Sequence, residues 1–116
     1  MLEVASVNEL KIHRSLLESA KQLINSFVSP TEIYLVGSQA RGNAKPNSDW
    51  DLLIVSEKEL SLNEEIELAA KINIEHHSFK ENPLFNLHVF SAKEWNESIA
   101  QKNPFCLNLK EGAIQL

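Results

Sequence analysis

Gly37-Ser38-Gln39-Ala40-Arg41-Gly42, followed by Ser48-Asp49-Trp50-Asp51, is the stretch that decides how this chain is read. The chain has 16 acidic residues, yet its only two aspartates are Asp49 and Asp51. Everywhere else the acid is glutamate. Aspartate holds its carboxylate on a shorter arm, closer to the backbone, which suits a metal ligand better than a solvated surface charge. In an extended strand, residues two apart point to the same face, so both carboxylates share one side and Trp50 takes the other. Like charges about 7 Å apart at the backbone repel each other. The pair is tolerable when solvated, or when a divalent cation sits between the two. Mg²⁺ takes hard oxygen ligands, typically one or two carboxylates together with substrate phosphates.

The residues just upstream supply the other half of such a site. Glu32-Ile33-Tyr34-Leu35-Val36, preceded by Pro30, reads as a strand. Gly37 at its end lets another molecule approach the backbone closely. If Ser38 opens a short helix, its hydroxyl and the first free amides form an anion-binding arrangement that the helix dipole favours. Arg41, three residues on, lies near Ser38 on the same helical face, where a guanidinium can contact a phosphate. Taken alone, Gly-Ser after a strand is a common turn, and Arg41 a solvated cation. The aspartates change that weighting. They stand where the next strand begins, and the loop Asn43-Ala44-Lys45-Pro46-Asn47 can fold back to bring carboxylates and phosphate cradle together.

Farther out, three capping boxes mark helix starts: Ser6 to Glu9, Ser61 to Glu64 and Ser91 to Glu94. The first is followed by Leu10, His13, Leu17, Ala20, Ile24 and Phe27 at helical spacing. The second is followed by Ile66, Ala69, Ala70 and Asn73, and the third puts Trp95 and Ile99 on one face. Asp51 to Val55 and Leu84 to Phe90 read as two further strands. The order is helix, strand, loop or short helix, strand, helix, strand, helix. That predicts an α/β (α+β) fold, a small mixed sheet with helices packed on it, in a single domain spanning residues 1–116.

Composition narrows the function classes. At 43% hydrophobic and 23% charged, the chain is an ordinary globular sequence. A net charge of −5 argues against a nucleic-acid partner held by phosphate neutralisation. No signal peptide is visible, and no apolar run approaches the roughly 20 residues of a membrane helix. Neither a membrane nor nucleic acid is therefore an expected partner, and a cytoplasmic location is expected. Cys106 stands alone, which excludes an intrachain disulfide and fits a reducing compartment; it reads as a small hydrophobe.

Gly37-Ser38-x-Ala40-Arg41-Gly42, then Ser48-Asp49-x-Asp51-Leu52, resembles the signature of the DNA polymerase beta-like nucleotidyltransferase superfamily, especially its minimal, stand-alone members. The resemblance implies the nucleotidyltransferase fold and a reaction. A nucleoside monophosphate, AMP foremost, moves from a nucleoside triphosphate to a hydroxyl on a protein or small molecule, releasing pyrophosphate. It implies that Gly37, Ser38, Arg41, Gly42 and Ser48 bind the triphosphate, ATP foremost, and that Asp49 and Asp51 bind Mg²⁺. A third carboxylate on a later strand completes the family's two-metal site.

Here this chain departs from the pattern. The strand from Leu84 to Phe90 contains no acid, and alignment on the helix start at Ser91 puts Asn86 in the third catalytic position, beside Asp49 and Asp51. Asn86 can offer a carbonyl oxygen to a metal but cannot take a proton at neutral pH. His88, next on the same face, is of a type that can. Alternation leaves Asn86, His88 and Phe90 on one face and Phe85, Leu87 and Val89 on the other. The alternative is a catalytically weakened nucleotide- or partner-binding module. Minimal members of the family often pair with a small helical HEPN-type protein, as the antitoxin half of a toxin–antitoxin module. A HEPN-type partner is thus expected, while an exposed edge strand or the first helix would support a homodimer. The remaining polar residues read as structural: Glu81 sits beside an Asn82-Pro83 turn, His76 and His77 point apart, and Lys45 is solvated. Trp50 and Trp95 read as core aromatics.

Overall fold

The computed structural model describes residues 14–28, 30–44, 48–77 and 84–116. The first capping box, Leu10, His13, Lys45 and Glu81 lie outside the described residues, as do the side chains of His76 and His77. Helix α1 spans Arg14–Phe27, and Leu17, Ala20 and Ile24 are buried on its core face, as their spacing predicts. Strand β1 (Pro30–Val36) leads directly into the short helix α2 (Gly37–Arg41). Strand β2 (Trp50–Ser56), helix α3 (Leu62–His77), strand β3 (Phe85–Ser91) and helix α4 (Ala92–Ala100) follow. Helix α5 (Pro104–Lys110) and strand β4 (Ile114–Gln115) complete the described elements.

The strands form one sheet in the order β3-β2-β1-β4. Strand β1 runs antiparallel to both β2 and β4, while β2 and β3 are parallel, so the sheet is mixed, as expected. Central β2 carries the continuous apolar run Leu52 to Val55 because both of its faces are covered there. On one side, Leu17, Ala20 and Ile24 of α1 and Leu68 and Ile72 of α3 pack against Ile33, Leu35, Trp50, Leu52, Ile54 and Phe85. On the other, Leu109 of α5 meets Val36, Leu53 and Val55, with Tyr34, Phe90 and Trp95 around them. Among the described residues, no helix is long and apolar enough to cross a membrane.

Both described capping boxes form. The Glu64 N–H donates to Ser61 Oγ at 3.2 Å and the Ser61 N–H to Glu64 Oε1 at 3.0 Å. The same reciprocal pair, at 3.1 Å each way, joins Ser91 and Glu94. The Ser61 backbone N–H, with the Ser61 side chain adding to it, holds the Glu64 carboxyl below its ordinary value.

The stripe expected on α3 needs correcting. Its buried residues are Leu68 and Ile72, and Ile66 is 58% exposed. Asn73 does not act as an apolar position. Its Oδ1 accepts the Phe85 N–H at 2.8 Å, and its Nδ2 donates to the Phe85 and Ala69 carbonyls, each at 3.0 Å. One amide therefore brackets the first residue of β3, satisfying backbone groups that burial would otherwise leave costly.

Helix α5 and strand β4 are additions to the expected order. The start of α5 follows standard chemistry: the Asn103 side chain accepts from the Phe105 and Cys106 N–H groups, with Pro104 in the first turn. Cys106 is 2% exposed, the small core hydrophobe it was read as. Strand β4 pairs Ile114 with Leu35 and Gln115 with Tyr34, which fastens the C-terminal segment to β1.

Tyr34 makes the sheet sensitive to alkaline pH. Its hydroxyl donates to the Glu32 carboxylate, two residues along β1. That hydrogen bond, with burial and the carboxylate's charge adding to it, pushes the phenol from its ordinary 10.0 up to about 12. The fold thus favours the protonated phenol. Its stabilising contribution is complete below pH 10 and is lost as pH rises from 10 toward about 12. Tyr34 is the chain's only tyrosine, so an ultraviolet titration of phenolate reads it alone. The midpoint is expected near 12 in the native protein and closer to 10.0 in Glu32→Gln. An identical midpoint in the two proteins would contradict the assignment.

Candidate active site

The strand register assembles the candidate site. Val36, the last residue of β1, stands opposite Asp51 on β2, and Asp51 stands opposite Asn86 on β3. The end of β1 and the starts of β2 and β3 therefore meet at one edge of the sheet. Strand alternation buries Trp50 and Leu52 in the helical layer and sends Asp51 to the other face, where its side chain is 27% exposed. Asp49 precedes β2 by one residue and is exposed, so the shared face of the two carboxylates is reached from a strand and its lead-in.

Gly37 meets two requirements at once. Its φ is 75°, in the left-handed region, and a Cβ added there would lie 2.7 Å from Asp51 Oδ2. The backbone turn and the Asp51 carboxylate are in contact, with no room for a side chain between them. Ala40, 1% exposed, pins α2 to the sheet, while Ser38, Gln39 and Arg41 remain half-buried. Gly42 ends the helix with φ 76°, its N–H bonded to the Ser38 carbonyl. Ser48 takes part through its backbone: Gln39 Nε2 donates to the Ser48 carbonyl at 3.1 Å, tying α2 to the residue before Asp49.

Arg41 has a support that sequence reading missed. Gly112, with φ 72°, follows α5, and a Cβ there would lie 2.8 Å from Arg41 Cγ. The aliphatic stem of Arg41 thus runs against the C-terminal turn. A glycine just past a helix end was the available signal, but nothing in its spacing pointed to Arg41.

Strand β3 contributes N–H donors. Asn86 Nδ2 donates to Asp49 Oδ2 at 3.3 Å, and His88 Nε2 lies 3.2 Å from Asp51 Oδ1. An ionised carboxylate only accepts, so that nitrogen of His88 carries the proton. The Phe105 ring, 5.9 Å away from α5, packs edge-on against His88. Asn86 is exposed and His88 half-buried, on the face expected for both, with Phe85 2% exposed on the other.

The donor set fits a hard cation. Two carboxylates offer oxygen, the ligand type Mg²⁺ prefers, and Asp49 Oδ1 and Asp51 Oδ2 are the oxygens that β3 does not hold. Among the described residues, no three of His, Cys, Asp and Glu gather into a metal-holding group. An ion here would complete its shell with water and substrate phosphate. For Gly37→Ala, a left-handed backbone and the Asp51 contact together predict a loss of at least about 1–2 kcal/mol in urea unfolding; undiminished stability would contradict the close packing.

Comparison with known proteins bears on the family and the fold. No curated protein matches the sequence closely enough to count as a relative. A crystal structure of a proposed nucleotidyltransferase from Sulfolobus solfataricus is similar over 99% of this chain and 86% of that one. Its TM-score is 0.53 at 19% identity, a likeness of fold. The sequence profile of the nucleotidyltransferase domain matches residues 13–105. The chain therefore belongs to the nucleotidyltransferase domain family.

Proposed function

We propose that the chain is a single-domain, Mg²⁺-dependent nucleotidyltransferase that moves AMP from ATP to a hydroxyl on a protein or small molecule. The observation that carries this reading is the contact between Asp51 Oδ2 and the Gly37 turn. It puts a carboxylate beside the backbone on which a triphosphate would lie.

In this reading Asp49 and Asp51 hold the cation, and Gly37 and Ser38 receive the phosphates through backbone amides and the Ser38 hydroxyl. Arg41, its stem steadied by the Gly112 turn, adds a positive charge, while Gly42 and Ser48 shape the cradle. When bound, Mg²⁺ supplies charge that stabilises the phosphoryl oxygens. The acceptor oxygen attacks the α-phosphorus in line. A new P–O bond forms, the bond to the β-phosphate bridging oxygen breaks, and pyrophosphate leaves with that electron pair. The hydroxyl's proton passes to water, since β3 offers N–H donors rather than a free carboxylate at this edge.

That last point favours a second reading. Asn86 donates to Asp49 from the place where the family's third acid is expected, which suits a catalytically weakened nucleotide- or partner-binding module. In either case a HEPN-type helical protein is the proposed partner, the pair forming a toxin–antitoxin module in the cytoplasm.

Label transfer separates the readings. With α-labelled ATP, Mg²⁺ and a cell extract as the source of acceptors, wild type is expected to label a hydroxyl-bearing product. Asp51→Asn is expected to lose transfer by about 10²–10³-fold, the usual consequence of removing an electrostatic stabiliser of the transition state. Transfer by Asp51→Asn at the wild-type level would contradict the enzyme reading.

A further inference from the structure

We infer that this site takes one divalent cation together with its nucleoside triphosphate, not two. The inference rests on the nucleotidyltransferase reading above and concerns how many ions these particular side chains can hold. Two ions a few ångströms apart each need their own share of oxygen ligands, usually through carboxylates that bridge with both oxygens. Here each aspartate has one oxygen engaged by a neighbour on β3. Asn86 Nδ2 donates to Asp49 Oδ2 and His88 Nε2 to Asp51 Oδ1. Both contacts match acceptor-only carboxylates, so the amide nitrogen and the protonated ring nitrogen are the atoms that must face them.

Asp49 Oδ1 and Asp51 Oδ2 take no N–H from β3, and each of the other two oxygens has part of its lone-pair capacity already taken. Asp51 Oδ2 lies against the Gly37 turn, so a cation held there is shared with the triphosphate. His88 is not a loose side chain that a second ion could easily displace. It is half-buried, held by Asp51 on one side and by the Phe105 ring on the other. The strand register keeps Asn86 opposite Asp51 and next to Asp49, where it contributes an N–H and no negative charge. Two carboxylates balance one dication, and a second would have only phosphates to offset it.

Counting bound Mn²⁺ tests this without reference to turnover. Free Mn²⁺ is followed by electron paramagnetic resonance, with protein in excess over a nonhydrolysable α,β-methylene ATP analogue so that all of the analogue is bound. Wild type is expected to hold one Mn²⁺ per bound nucleotide. Asn86→Asp, an exposed position outside the core, replaces the N–H donor with a carboxylate and is expected to hold two. Two Mn²⁺ in wild type, or one in Asn86→Asp, would overturn the inference while leaving the nucleotidyltransferase reading in place. Wild type binding neither Mn²⁺ nor the analogue would overturn both.

Discussion

The Asp51 carboxylate lies against the Gly37 backbone with no space for a side chain between them, and the rest of the site depends on that contact. It forms only if β1 and β2 pair so that Val36 stands opposite Asp51. A slip of one residue would turn Asp51 into the layer now filled by Trp50 and Leu52 and move those side chains to the half-open face where Asp51 now lies. The buried run Leu52 to Val55 therefore also fixes which way the carboxylate faces. Packing energy in the sheet thus holds a charge at its edge.

Supports from elsewhere in the chain converge on the same edge. Asn73 on α3 brackets Phe85 and so sets where β3 begins, one residue before Asn86. Gln39 reaches the Ser48 carbonyl and closes α2 onto the lead-in to Asp49. The turn after α5 packs against Arg41, while Phe105 of the same helix packs against His88. Helix α5 thus buttresses the site on two sides, which gives the C-terminal segment a role beyond completing the core. Short polar contacts of this kind hold geometry, because each satisfies a backbone or charged group that burial would make costly to leave alone.

Much of this was legible beforehand, for identifiable reasons. The capping boxes at Ser61 and Ser91 announce helix starts because each satisfies backbone donors reciprocally, a local chemistry that needs no tertiary context. The strands around Asp51 and Asn86 could be read because alternation and β-branching are local too. Asn73 was misread as part of an apolar stripe, since spacing alone cannot show that its amide meets a strand twelve residues away. Helix α5 is seven residues long, too short for periodicity to show, though Asn103-Pro104 was a usable start signal. The Arg41–Gly112 and His88–Phe105 contacts join distant parts of the chain, and no spacing rule encodes them. The two aspartates stood out because composition made them rare. What β3 does to them became visible only when the register put amide and imidazole nitrogens against their oxygens.

In the proposed function the Gly37 turn and the aspartate pair form one metal–nucleotide site. Thermal melting of the wild-type protein with ATP, in the presence and absence of Mg²⁺, tests it most directly. Nucleotide at 100 times its dissociation constant stabilises the folded state by about 2.7 kcal/mol, a rise of roughly 10 °C for a domain of this size. That rise is expected with ATP and Mg²⁺ together, and little of it with either alone. An unchanged melting temperature, or an equal rise without Mg²⁺, would contradict it.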